Sequence, residues 1–388
     1  MDNWLLPENI DDILPAEADR IESLRRALLD LFRGHGYQLV WPPLVEYVES
    51  LLTGSGRDLD LMTFKLVDQM SGRLLGVRAD ITPQVARIDA HILNRSGVTR
   101  LCYAGSVLHA MPGGAARRRE LLQVGAEIYG HAGIESDIEI QRLMLLALER
   151  AGCGSLQIDL GHVGVFRALV RRGAVPAGRE LDLFQALQGK DQPALRELVK
   201  PLPREIADAL LALAELYGGA GVLREARLRL PEYPEICAAI ADLEQAARAI
   251  EGEASGCSFD LGELRGYHYH TGIVFAAYAE GHADAIGRGG RYDEIGRAFG
   301  RARPATGFTL DLRDVAGLGQ TRRPGAGILA PYSNDQALRE TIARLRAAGE
   351  MVIVDLPGHE HTRDELGIDR ELRVMGGAWQ VVRRSTGG

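Results

Sequence analysis

Gln123-x-Gly125-x-Glu127 closes a stretch, Leu101 to Gly130, that reads as strand, glycine- and arginine-rich tip, strand. Alternation puts Gln123 and Glu127 on one face of the returning strand. Glu127 lies in an otherwise apolar run, and burying a lone carboxylate is costly, so it requires a partner. A bound ligand and an internal salt bridge both meet that need. Asp80-x-Thr82 offers a second carboxylate and a hydroxyl; locally, Thr82 before Pro83 reads as a helix N-cap. His268-Tyr269-His270 could suggest a metal, but two histidines at i, i+2 without acidic or cysteine neighbours make a weak ligand set. Gly287 to Gly300, GRGGRYDEIGRAFG, could suggest a phosphate loop, yet no Lys-Ser/Thr follows, which rejects it. Arg117-Arg118-Arg119 reads as a solvated loop tip or as a docking point for an acidic partner protein.

The elements that must position these groups are legible in outline. Ala16 to Gly34 carries Ile21, Leu24, Leu28, Leu31 and Phe32 at helical spacing, stopped by Gly34 and Gly36. YQLVW reads as a strand ended by Pro42-Pro43, and LLGVR (74–78) as another. A helix is expected from Thr82 through Leu93, and an amphipathic one from Ile134 to Arg150. SLQIDLGH (155–162) is a strand, and Val163 to about Gly252 is a Leu- and Ala-rich helical insertion. Strands resume at CSFDL, HYHTGIVFAAY, ADAIGR and ATGFTLDL. Strand runs flanking a helical block predict an α+β fold around an antiparallel sheet. A linker near 317–327 precedes GILAP, a helix from about Asp335 to Ala348, MVIVDLP and AWQVVRR, a small α/β module. The expected domains are 1–318, with the insertion at about 163–252, and 325–388.

The chain has 388 residues, 46% apolar and 25% charged, room for two or three domains. No apolar run reaches membrane-spanning length, and the acidic N-terminus lacks the basic region of a signal peptide, so a cytoplasmic protein is expected. Cys102, Cys153, Cys237 and Cys257 form no CxxC pair, which argues for reduced thiols and against a zinc ribbon. A net charge of −8 lowers the case for a nucleic-acid partner.

Three separated segments resemble histidyl-tRNA synthetase, a class II aminoacyl-tRNA synthetase, over roughly residues 7–315. DDILP (11–15), the first helix and GYQLVWPPLVEY (36–47) resemble its motif 1, which builds a homodimer interface. VRADITPQVARI (77–88) resembles the "R-P-E-x-T" element, placing Asp80 at the substrate α-amino group with Thr82 beside it. Gly105 to Gly125 resembles motif 2 without a gap, and there Gln123 and Glu127 contact histidine, the acidic one facing the imidazole. Two opposed carboxylates suit a cationic amino acid. LRGYHYHTGIVF (264–275) resembles the histidine-specific "R-G-L-D-Y-Y" segment: Arg265 and Tyr269 stand in register, His270 replaces the second tyrosine and His268 the aspartate. The "G-G-R-Y-D" turn puts Tyr292 by the amino-acid site. The resemblance implies a ligand set of Asp80, Thr82, Gln123, Glu127, Arg265, Tyr269, His270 and Tyr292, with no metal and no cofactor.

The ATP motifs depart from the family. "F-R-x-E" of motif 2 is Leu108-His109-Ala110-Met111, the adenine-stacking aromatic is Leu121, and "G-L-E-R" of motif 3 is Asp311-Leu312-Arg313-Asp314. Losing one preorganised transition-state donor typically costs about 10²–10³ in rate, and an aspartate beside a triphosphate repels it. In a working synthetase the Arg117–Arg119 loop would cover ATP or acceptor-stem RNA. A synthetase-like core with blank ATP motifs and a short C-terminus is similar to the regulatory subunits of ATP phosphoribosyltransferase, synthetase paralogues of histidine biosynthesis. That resemblance implies no catalytic residue, a short-form catalytic subunit as partner in a hetero-octamer, and L-histidine as feedback effector. The alternatives are a diverged class II ligase activating an amino acid with ATP, and a paralogue that retains tRNA binding.

Overall fold

The computed structural model describes residues 4–53, 57–112, 118–264, 266–267, 269–319, 327–358 and 368–384. Arg117, Arg265, His268 and most of the expected linker lie outside them. The chain forms two compact units, Met1–Gly319 and Gln320–Gly388.

Among the described residues, the first unit is built on a nine-stranded sheet. Next to one edge lies the hairpin Thr99–Leu108 and Glu120–Tyr129, followed across the sheet by Ala305–Asp311, Gly287–Arg291, Ile273–Ala279 and Leu156–His162, all antiparallel neighbours. Parallel pairs flank this run: Gln38–Leu39 beside the hairpin, and Gly256–Asp260 beside Leu156–His162. The register is fixed by burial on both faces. Val124, Ala126, Ile128 and Phe308 enter the main core, while the alternate Gly125, Glu127, Tyr129 and Gly307 face the other side.

The covering helices match the hydrophobic spacing. Pro15–Gly34 buries Ile21, Leu28 and Phe32, and Phe32 meets Phe308 edge-on at 5.8 Å. Gly36, at φ +84, lets the chain turn back. Ile134–Arg150 buries an Ile138, Ile140, Leu143, Met144, Ala147 and Leu148 stripe on the same side. The insertion runs through helices from Val163–Arg172 to Pro234–Ala249, between two strands that lie side by side.

Several boundaries differ from the expectation. The YQLVW strand shrinks to Gln38–Leu39, because Pro42 and Pro43 supply no N–H to a ladder. A small antiparallel sheet of Val45–Tyr47, Leu74–Val77 and Phe64–Val67 stands beside the large one. Thr82 is not an N-cap: Ile81, with helical backbone and no capping side chain of its own, precedes the helix Thr82–Arg87. Its continuation, Ile88–Leu93, is a π-helix ended by left-handed Asn94. The strand expected from His268 begins only at Ile273. In the second unit, Gly327–Pro331 pairs in parallel with Val352–Asp355 and with Ile368–Met375, a strand the sequence reading did not separate; Ala378–Arg383 completes the sheet. Helix Gln336–Ala347 covers it through Leu338 and Ile342. Among the described residues no helix is long and apolar enough to cross a membrane.

Candidate functional site

A cavity of about 380 Å³ opens on the sheet face opposite the main core. Its floor is the alternate residues of neighbouring strands: Glu127, then Gly307 and Thr309, then Arg288, Gly290 and Tyr292, then Val274 and Ala276. Asp80 and Thr82 come in from the loop that opens a helix, and Tyr269 and His270 from the turn before the strand Ile273–Ala279.

Glu127 is the buried acid of this site, 1% exposed. Tyr103 Oη donates to its Oε1 at 3.1 Å and Thr82 Oγ1 at 3.2 Å, while Tyr292 Oη donates to Oε2. No cation pairs with it among the described residues, so the internal salt bridge is replaced by a ring of hydroxyls. Burial raises its carboxyl to about 8; the Tyr292 donor opposes this, and the Asp80 charge adds to it. At neutral pH the Glu127 carboxyl is therefore largely protonated. The floor leaves no spare room. A Cβ on Gly307 would lie 1.5 Å from Glu127 Oε2, and one on Gly290 would lie 2.7 Å from His270 Cε1.

The other expected residues take distinct positions. Asp80 Oδ1 accepts the Thr82 N–H at 3.2 Å, so Asp80 rather than Thr82 shapes the helix entry. Gln123 does not line this cavity. Its Oε1 accepts the Ile81 N–H at 3.0 Å, which fixes the Asp80–Thr82 loop against the hairpin. Tyr269 is part-exposed and its ring lies 4.1 Å from that of His270. His270 is turned inward. Its Nδ1 donates to the Arg291 carbonyl at 3.2 Å, and burial lowers its pKa to about 4, so the ring is neutral with Nε2 as its acceptor. Arg291 itself is structural, ion-paired with buried Asp137 at 2.7 Å. Tyr103, Arg288, Gly307 and Thr309 were not singled out from the sequence; only the pairing of distant strands brings them here.

A second cavity, about 320 Å³, adjoins the first and is lined by Met62, His109, Leu121 and Gln123 with Arg118, Asp311 and Asp314. His109 Nε2 is 3.0 Å from the Ala79 carbonyl and burial lowers its pKa, so it is a neutral donor to the backbone. Arg118 is tied to Asp314 and lies 3.9 Å from Asp311. Burial raises Asp311 to about 6, reinforced by Asp314. Arg119 donates to the His109 carbonyl at 3.1 Å and lies over the Phe64 ring. Arg118 and Arg119 therefore hold the hairpin base, which corrects the solvated-tip reading for both. Among the described residues no group of His, Cys, Asp and Glu is arranged to hold a metal ion.

An antiparallel sheet with a motif-2-like hairpin, a buried glutamate and a helical insertion defines a histidyl-tRNA synthetase-like class II protein. Residues 9–315 match the family model described as histidyl-tRNA synthetase. The structure of histidyl-tRNA synthetase from Nostoc sp. PCC 7120 shares the fold at TM-score 0.78 and 17% identity, covering 99% of this chain and 97% of that one. A structure from Bacillus halodurans, titled an ATP phosphoribosyltransferase regulatory subunit/histidyl-tRNA synthetase, matches at TM-score 0.81 and 28% identity over 94% of this chain and 96% of that one. Residues 325–382 match the ATP phosphoribosyltransferase subunit HisZ C-terminal domain. Relatives from Ralstonia nicotianae and Burkholderia lata, both named ATP phosphoribosyltransferase regulatory subunit, are each 58% identical over 384 residues, 99% of this chain and 99% and 100% of theirs. The chain belongs to the ATP phosphoribosyltransferase regulatory subunit family.

Proposed function

We propose that this chain is a non-catalytic regulatory subunit acting in histidine biosynthesis in the cytoplasm. It binds L-histidine around Glu127 and joins a short-form catalytic subunit that condenses ATP with phosphoribosyl pyrophosphate, in a hetero-octamer subject to feedback inhibition. One observation carries the reading. The amino-acid half of the site keeps a buried Glu127 beside Asp80, while the adjoining half sets Asp311 and Asp314 where a triphosphate would need cations. The acid arrangement suits an imidazole and an ammonium group; in the second half Arg118 is taken up by Asp314, and three aspartates against two arginines disfavour a polyphosphate. Tyr269, His270 and Tyr292 complete the wall, Gln123 supports the Asp80 loop, and Arg265 joins the set by resemblance.

Homodimerisation is supported by the apolar surface at the first edge of the sheet, where Leu39, Trp41 and Leu44 stand exposed, Trp41 by 73%. A ligand that favours one assembly state shifts the population of states, and the coupling is reciprocal. A coupling of about 1–3 kcal/mol would alter activity by about 5–150-fold.

Calorimetry tests the reading. L-Histidine should bind the full chain, and Glu127→Ala should abolish the signal. Equal binding by the variant would remove the pocket assignment. Robust ATP–pyrophosphate exchange with any amino acid would establish the ligase alternative instead, and a tRNA mobility shift at physiological salt would establish the tRNA-binding one. Failure to co-purify with a short-form catalytic subunit would remove the partner.

A further inference from the structure

The geometry points to Arg288 as the residue that reads the ligand's free carboxylate and thereby selects an intact amino acid over its amide or its decarboxylated amine. This rests on the reading of the cavity as an amino-acid site. Five carboxylates line that cavity: Asp80, Glu127, Asp159, Asp260 and Glu263. Asp159 is engaged by Ser258, and Asp260 by Lys190 at 2.8 Å. Among the described lining residues Arg288 is the one cation, since burial keeps His270 neutral. A zwitterion entering such a space finds favourable ground for its carboxylate at Arg288 and repulsion elsewhere.

Position supports this. Arg288 shares a strand face with Gly290 and Tyr292, both cavity residues, and pairs across the sheet with Thr309. It lines both cavities, so it stands at the partition between them. Its guanidinium makes no hydrogen bond or ion pair with any described residue, unlike Arg291 and Arg303, which are locked to Asp137 and Asp89. It is nonetheless close enough to Tyr269 for its charge to act on that phenol.

The separation from Glu127 is suitable. Glu127 is in register with Gly307, and Gly307 with Gly290, two residues from Arg288. Two strand spacings of ~4.8 Å and two residue rises of ~3.4 Å put the Cα atoms of Glu127 and Arg288 roughly 12 Å apart. Histidine spans roughly 6 Å from its far ring nitrogen to its carboxylate, by ordinary bond lengths. The two side chains reach inward across the remainder. The imidazole then faces Glu127, the ammonium Asp80, and the carboxylate Arg288 through a charge-assisted, potentially bidentate contact. A carboxamide offers only one neutral acceptor and an N–H that faces the guanidinium unfavourably, and histamine has no carboxyl group, so neither forms the ion pair.

Calorimetry of the full chain with L-histidine, L-histidinamide and histamine tests the assignment. The unmodified protein should bind L-histidine about 10- to 100-fold more tightly than L-histidinamide, the range for one hydrogen-bonded charge. Arg288→Ala should weaken L-histidine to the level of the amide and leave the amide within about twofold, because the variant removes only the charge contact. Arg288→Lys should restore part of the discrimination as a point charge. Unchanged L-histidine affinity in Arg288→Ala overturns the assignment and leaves the cavity reading intact. An equal loss for both ligands also overturns it, since that outcome marks a merely structural residue. No binding of L-histidine by the unmodified protein removes the cavity reading and the assignment together.

Discussion

Glu127→Gln isolates the energetic character of the empty site. The substitution keeps the shape and one acceptor oxygen for Tyr103 and Thr82, presents an N–H to the Tyr292 oxygen much as the protonated acid presents its O–H, and cannot ionise. Burial displaces the Glu127 carboxyl from 4.5 to about 8, against the pull of Tyr292. The folded protein therefore retains, between those pH values, a proton that the unfolded chain has released. Stability from this group is complete below about pH 4.5 and is lost as pH rises through 8. At about 1.36 kcal/mol per pH unit, the full displacement amounts to about 5 kcal/mol. Urea unfolding of the ligand-free chain and of Glu127→Gln, at intervals from pH 5 to 9, measures it. Near pH 5 the two should differ by about 1 kcal/mol or less, since both carry a neutral group. Near pH 9 the variant should be the more stable by about 2–5 kcal/mol. Taking the difference between the two proteins cancels every other titrating group. A difference that stays constant across this span would refute the reasoning, because it would mean that the three hydroxyls outweigh desolvation and hold the carboxylate ionised.

Gly307→Ala places a methyl group 1.5 Å from Glu127 Oε2, so it should cost about 1–3 kcal/mol of stability and weaken L-histidine binding at least tenfold, by denaturation and calorimetry; unaltered binding would contradict the close approach. Arg118→Ala leaves Asp311 and Asp314 facing each other without their cation, and should cost about 1–3 kcal/mol at pH 7. Because Asp311 already titrates at about 6 and the loss of Arg118 raises it further, that cost should shrink as pH falls toward 5. A cost independent of pH would show that Arg118 acts through packing alone.

Glu127 was legible in the sequence because a charge in an apolar strand demands an explanation wherever the strand goes, whereas Asp80 was placed by resemblance alone. Tyr292, expected here by resemblance, donates to Glu127 across the pairing of three strands, which no local pattern displays. The roles of their neighbours were not legible. Thr82 read locally as a cap, but its hydroxyl is drawn to Glu127, and its own backbone N–H is met by Asp80. Gln123 lies on the expected face, but four residues along the strand from Glu127 and beyond the reach of the cavity, and so supports the loop instead. Arg118 read as loop because its partners, Asp311 and Asp314, are almost two hundred positions away. Tyr103 sits in a strand that looks apolar throughout, and only the register with Glu120–Tyr129 reveals its hydroxyl. The main sheet and the insertion were visible through period and composition; the edge strands were not, since Gln38–Leu39 and Tyr217–Gly218 are too short to show a pattern.

The detour between Leu156–His162 and Gly256–Asp260 has a consequence for how the protein matures. Those neighbours in the sheet are joined only after the entire helical excursion has been synthesised, and the wall carrying Arg288, Tyr292 and Thr309 emerges later still. Closing so long a loop carries an entropic cost before any pairing rewards it, which delays completion of the cavity wall. Chains that end before Thr309 lack part of the cavity wall, and a ligand of the proposed site would stabilise only molecules in which that wall is in place.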